Sequence, residues 1–144
     1  MKKFEFRSDI AISDCAFYAY GRNAADLIEH ACQAVTEAMV NRKKIKAKEM
    51  IRFETKADSL EELLYLILDE MIYLKDSKQL VFRDFKIEKI GEKPRACFIS
   101  MKFIGEKVDL RRHEAHSDVK AVTWHQFEIK KIPTGYRASV ILDI

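Results

Sequence analysis

The chain has 144 residues, of which 48% are hydrophobic and 34% charged, with only two prolines and four glycines. That is the length of one ordinary domain with enough apolar material for a core, and it excludes a disordered or linker-rich architecture. A net charge of +3 is too mild for a dedicated nucleic-acid binder, whose lysines and arginines would be concentrated.

"FEFRSDIAIS" (4–13) and "CAFYAYG" (15–21) read as strands. In "NAADLIEHACQAVTEAMV" (23–40), Leu27, Ile28, Ala31, Ala34, Val35, Ala38 and Met39 recur at helical spacing, and Asn23 is the N-cap. The basic run "NRKKIKAKEM" (41–50) reads as a solvated connection, with a phosphate-contacting loop as the alternative. "MIRFETKA" (50–57) is a strand. Ser59 and Glu62 then form an S-x-x-E capping box for a second helix over 59–74. Its stripe of Leu60, Leu63, Leu64, Ile67, Leu68 and Met71 is broad, so this helix should be the more buried one.

Four strands follow: "LVFRDFKIEKI" (80–90), "RACFISMKFIG" (95–105), "KAVTWHQFEIKKI" (120–132) and "YRASVILDI" (136–144). In the second of these, Cys97, Ile99, Met101 and Phe103 alternate with Phe98 and Ser100, which predicts a strand covered on both faces. In the third, alternation puts Lys120, Val122, Trp124 and Gln126 on one face and Ala121, Thr123, His125 and Phe127 on the other, with Trp124 expected to pack. Two early helices and a late run of strands give a single α+β domain over 1–144, with both helices packed on mostly antiparallel sheet.

Cys15, Cys32 and Cys97 are odd in number, far apart and without a CxxC pair, which suits a reducing compartment. No apolar run reaches the ~18 residues that span a bilayer, and "MKKFEFRSD" lacks a signal-peptide core. The expectation is a cytoplasmic protein with no membrane partner.

The usual enzymatic signatures are missing: no Gly-rich phosphate loop, no G-x-S-x-G, no HExxH. His113 and His116 stand at H-x-x-H spacing but in a polar stretch, where solvated loop residues are expected, and His30 falls on the polar face of the first helix. The end "VILDI" offers hard oxygen ligands instead. Asp143 is followed by Ile144 with its main-chain or terminal oxygens, a set suited to Ca²⁺, Mg²⁺ or Mn²⁺, and Asp9 and Asp14 are candidates for a second carboxylate. An Asp accepting hydrogen bonds at a strand end is the competing explanation.

Taken together, these stretches resemble the archease family. "SDVKAVTWHQFEI" (117–129) is similar to that family's T-E-V-K-A-V-T-Y-H segment, and "ASVILDI" to its V-I-L-D ending. "GEKVDLRRHEAH" resembles its G-E…D-x-x-R-H loop, and both helices match in order and spacing. The family's first motif, H-T-A-D-x-G, aligns with "AISDCA", so Asp14 retains the aspartate while Ala11, Ile12 and Ala16 replace the histidine, threonine and inner glycine.

The resemblance implies a non-enzymatic accessory protein of the GTP-dependent RNA splicing ligase of the RtcB type. It would promote ligase guanylylation and multiple turnover in tRNA exon joining, contacting tRNA indirectly, and it carries a link to a tRNA cytosine methyltransferase. It also implies a divalent metal site at Asp14, Asp143 and Ile144, Ca²⁺ first with Mg²⁺ or Mn²⁺ as alternatives, and a functional lysine at Lys120. His125 joins Lys120 as a candidate partner-contacting residue. Two other readings stand beside this one: a metal-dependent phosphoesterase using Asp14 and Asp143, and a direct RNA-binding module using Arg42, Lys43, Lys44, Lys46 and Lys48.

Overall fold

The structure, a computed structural model, describes residues 2–7 and 14–144. Asp9, Ala11 and Ile12 lie outside the described residues. The chain runs β1 (Phe4–Arg7), β2 (Asp14–Gly21), α1 (Ala24–Met39), β3 (Glu49–Ala57), α2 (Leu60–Lys78), β4 (Leu80–Gly91), β5 (Cys97–Lys107), β6 (Ala121–Val122), β7 (Glu128–Ile132) and β8 (Gly135–Asp143). Every strand pair among the described residues is antiparallel. This is the expected α+β architecture.

Two sheets result. One has the order β1-β2-β8-β6, and β7 also pairs with β8; the other is β3-β5-β4. Helix α1 packs on both β2 and β4, and α2 packs on β3, β4 and β5 as well as on β6 and β7, so the helices join the two sheets. A single apolar core contains Leu27, Ile28 and Val35 of α1, Leu63, Leu64, Ile67 and Leu68 of α2, Phe103 of β5 and Val140 of β8.

Both helix starts follow from their caps. Asn23 accepts the Asp26 N–H at 2.9 Å, and the Ser59 hydroxyl oxygen accepts the Glu62 N–H at 3.1 Å, each satisfying an orphan donor of the first turn. Helix α2 continues four residues past the expected end at 74, because Lys75 and Lys78 suit the carbonyl end of a helix, and it stops at Gln79, whose φ of 53° is left-handed.

Four expectations are corrected. Helix α2 is not the more buried of the two: eleven of the sixteen residues of α1 are buried against seven of the nineteen of α2, because α1 packs on strands of both sheets. The segment 120–132 is not one strand: only Ala121–Val122 pairs before the chain leaves the ladder, turns at His125–Gln126 (Gln126 φ 53°) and resumes as β7 at Glu128. The predicted alternation of faces therefore fails beyond Val122. Strand β5 is covered on one face only. Cys97, Ile99, Met101 and Phe103 are buried against the helices, while Phe98 is exposed and Ser100 and Lys102 lie on the open face. Finally, His113 is fully buried rather than solvated, its Nε2 facing Glu106. The basic run 41–50 is the expected, mostly exposed connection between α1 and β3, with some of its groups engaged. Arg42 donates to the Arg83 carbonyl, Lys46 N–H donates to Glu106, and Lys44 and Lys48 lie near Glu114 and Glu106.

Candidate functional site

The antiparallel register of β2 on β8 sets Asp14 directly opposite Asp143, at the start of one strand and the end of the other. Directly opposed residues project from the same face with Cβ atoms only about 5 Å apart. Asp14 is half-buried and Asp143 exposed, and neither carboxylate has a hydrogen-bond or ion-pair partner among the described residues. Two carboxylates so placed repel one another, and a cation between them would remove the repulsion. The donor set is oxygen only, and among the described residues no third acidic, His or Cys side chain joins it. It therefore suits a hard divalent cation completed by main-chain oxygen, water or a partner's groups.

On the other side of β8, Ala121 of β6 also pairs with Asp143, and Lys120 N–H donates to the Asp143 carbonyl at 2.8 Å. Lys120 thus reaches the site through its backbone. Its side chain is exposed and makes no ion pair with either aspartate among the described residues. Ile144 follows at once, half-buried against the core. His125 sits exposed in the turn beyond β6, outside this pairing.

Sequence reasoning missed what holds the short β6 in place. Lys75 of α2 donates to the Val119 carbonyl at 2.6 Å and to Asp118 at 3.1 Å, and Tyr65 donates its hydroxyl to the Val122 carbonyl at 3.2 Å. Thr123 donates both its N–H and its hydroxyl to the Ile141 carbonyl. Trp124, 54% exposed, stacks on Tyr65 with ring centroids 4.1 Å apart and an interplanar angle of 9°, and Phe127 meets both rings edge-on. The expected packing of Trp124 therefore occurs on one of its faces. Tyr65 and Lys75 lie ten residues apart in α2, and a helical side that meets an irregular segment leaves only this spacing as a signal.

Comparison with known proteins decides the family. The model of the Archease protein family (MTH1598/TM1083) matches residues 4–144. The chain belongs to the archease family. Among archeases it is 37% identical to the protein of Pyrococcus furiosus over 142 residues, 98% of this chain and 96% of that one. It is 34% identical to the archease of Methanosarcina barkeri, covering 99% and 97%. The solution structure of Methanobacterium thermoautotrophicum protein 1598 matches with a TM-score of 0.82 at 34% identity, over 100% of both chains. The crystal structure of an archease from Thermotoga maritima, described as a possible chaperone, shares the fold with a TM-score of 0.58 at 17% identity over 97% and 98%.

The G-E…D-x-x-R-H loop of this archease closes on itself. Glu106 is 3% exposed; its Oε2 accepts from Lys46 N–H at 2.7 Å and lies 2.9 Å from His113 Nε2, while Oε1 accepts from Arg112 Nη2 at 2.9 Å. Asp109 N–H donates to His113 Nδ1 at 3.0 Å, which assigns the ring proton to Nε2, facing Glu106. Asp109 in turn accepts the Arg111 and Arg112 N–H groups. His116 lies apart from His113, its Nδ1 2.7 Å from the Glu37 carbonyl oxygen, so the two histidines serve different contacts. Burial would raise the Glu106 pKa, but the Lys46 N–H, His113 and Arg112 outweigh it and hold the carboxyl down at about 2.

Proposed function

We propose that this archease is an accessory protein of a GTP-dependent RNA splicing ligase of the RtcB type, acting through the β2–β8–β6 edge and without turnover of its own. The observation that carries the reading is the opposition of Asp14 and Asp143, whose carboxylates have no partner among the described residues. Asp14, Asp143 and the main-chain oxygen of Ile144 would hold a divalent cation, Ca²⁺ first and Mg²⁺ or Mn²⁺ as alternatives. Such an ion would supply concentrated positive charge for oxygen ligands of a partner. Lys120, beside that edge and exposed, adds a cation able to meet a partner carboxylate or phosphate. Among the described residues no nucleophile and base constellation accompanies the two aspartates, and an enzyme acting there would need one.

The test is a guanylylation time course of the matching ligase with and without this protein. Substoichiometric amounts should raise both rate and turnover, and Asp143→Ala should abolish the effect while its circular dichroism stays unchanged. Undiminished stimulation by Asp143→Ala would refute the metal-edge reading, and no stimulation by the parent protein would refute the ligase assignment.

A further inference from the structure

The three-stranded sheet β3-β5-β4 buries one face against the helices and leaves the other uncovered by any described element. The register arranges that open face in cross-strand rows. Lys56, Phe98 and Gly91 form one row; Glu54, Ser100 and Lys89 the next; Arg52, Lys102 and Lys86 the third. Successive rows along a strand are two residues, or about 6.8 Å, apart.

Two features of this face work against stability. The third row sets three cations abreast, and like charges directly opposite destabilise a sheet. Glu88, the extra residue of the β4 bulge, bridges only two of them, Arg52 and Lys102. Phe98 is a large apolar residue left 42% exposed. Gly91 has no side chain where a Cβ would fall 2.2 Å from the Phe98 ring, so the ring lies across the neighbouring strand. Across the three rows, five cations face two carboxylates. Local choices that oppose the fold mark a face used for something else.

We infer that this open sheet face binds single-stranded RNA, with a base stacked on Phe98 and the adjoining phosphates on Lys56 and Lys89. The open cleft there has a volume of about 550 Å³ and is walled by Phe98, Lys56, Lys89 and Arg52 together with Glu54 and Glu88, the latter paired with Arg52. An aromatic ring accepts any base, and flanking lysines track the backbone. Excess positive charge alone would equally suit an acidic protein; the exposed ring set beside the lysines adds a stacking platform that a nucleobase uses and an acidic side chain does not. Glu54, in the middle row, repels phosphate yet accepts a hydrogen bond from a ribose 2′-hydroxyl, which favours RNA over DNA. The surface is separate from the Asp14–Asp143 edge, which lies on the other sheet.

The test is fluorescence anisotropy of a labelled oligouridylate of about a dozen nucleotides against the intact protein over a salt series. Binding should weaken with salt. Phe98→Ala should weaken it about tenfold, with unchanged circular dichroism because the residue is exposed. Lys56→Ala combined with Lys89→Ala should lower the slope of log affinity against log salt by about 1.4, the value for two lost phosphate contacts on a single strand. Oligothymidylate should bind several-fold more weakly, and Asp143→Ala should bind as the parent does. The proposal is overturned by absence of RNA binding, by Phe98→Ala binding like the parent, by equal affinity for the DNA strand, or by polyglutamate displacing the RNA as effectively as unlabelled RNA does.

Discussion

The Glu106 clasp gives a prediction whose size follows from its contacts. In Glu106→Gln the amide oxygen can keep the Lys46 and His113 donors at the Oε2 position, but the NH₂ group then faces Arg112, which donates to Oε1 at 2.9 Å. One charge-assisted hydrogen bond is lost and two donors are set against each other, a cost of about 2–3 kcal/mol. Glu106→Ala removes every acceptor, leaves the buried His113 Nε2–H and the Arg112 guanidinium without their partner and the part-buried Lys46 N–H to water, and should cost about 3–5 kcal/mol. The pH dependence has a definite sign. The folded-state pKa of about 2 lies below the ordinary glutamate value of 4.5, so the native state favours the ionised form. The clasp's contribution is complete above about 4.5 and is lost as pH falls toward about 2. Urea denaturation of the parent and Glu106→Gln between pH 7 and pH 2.5 measures both quantities. The stability gap should be full at neutral pH and should narrow on acidification. A gap below about 1 kcal/mol at pH 7, or one that stays constant to pH 2.5, would refute the assignment of the clasp as an ionised, stabilising network.

A Cβ at Gly105 would fall 1.9 Å from the Val81 carbonyl oxygen and 2.7 Å from the Phe82 Cα, both backbone atoms of β4, so Gly105→Ala should cost at least about 3 kcal/mol; a melting temperature within about 2 °C of the parent would contradict the close strand approach. Tyr65→Phe removes the hydroxyl that donates to the Val122 carbonyl, while Trp124→Ala removes the stack on the same ring. Each should cost about 1 kcal/mol, and a double-mutant cycle should show coupling between them in chemical denaturation.

The helices were legible because their signals are local: Asn23, Ser59 and the 3.6-residue stripes lie within single turns of what they specify. The C-terminal strand was legible too, since Ala138, Val140 and Leu142 enter the core while Asp143 is exposed at its end. Strand β5 misled because Phe98, an apolar residue between the alternating core positions, signals a second covered face, whereas its ring lies in the open across Gly91. His113 misled for the opposite reason. Its neighbours are polar, but its partner Glu106, seven residues earlier, carries it into the interior. The opposition of Asp14 and Asp143 spans almost the whole chain, and no local pattern reports a register of that separation.

The break in the 117–129 segment has a physical logic that bears on the site. A continued β6 would place Trp124 and Phe127 on alternate faces of a sheet edge, with no ring to meet. By leaving the ladder after Val122, the chain brings both rings onto Tyr65 and exchanges further ladder pairing for side-chain bonds from Tyr65 to the Val122 carbonyl and from Thr123 to the Ile141 carbonyl. Lys75 meanwhile holds the chain just before β6 at Asp118 and Val119. Lys120 is therefore fixed from two directions, through Asp143 on the sheet and through the Lys75 contact to Val119 on α2. If Lys120 is the residue that meets the partner, Lys75→Met should reduce ligase stimulation without altering the Asp14–Asp143 pairing. Ca²⁺ binding measured by calorimetry should then be unchanged while guanylylation stimulation falls several-fold, and equal loss of both would mean that α2 supports the whole edge rather than Lys120.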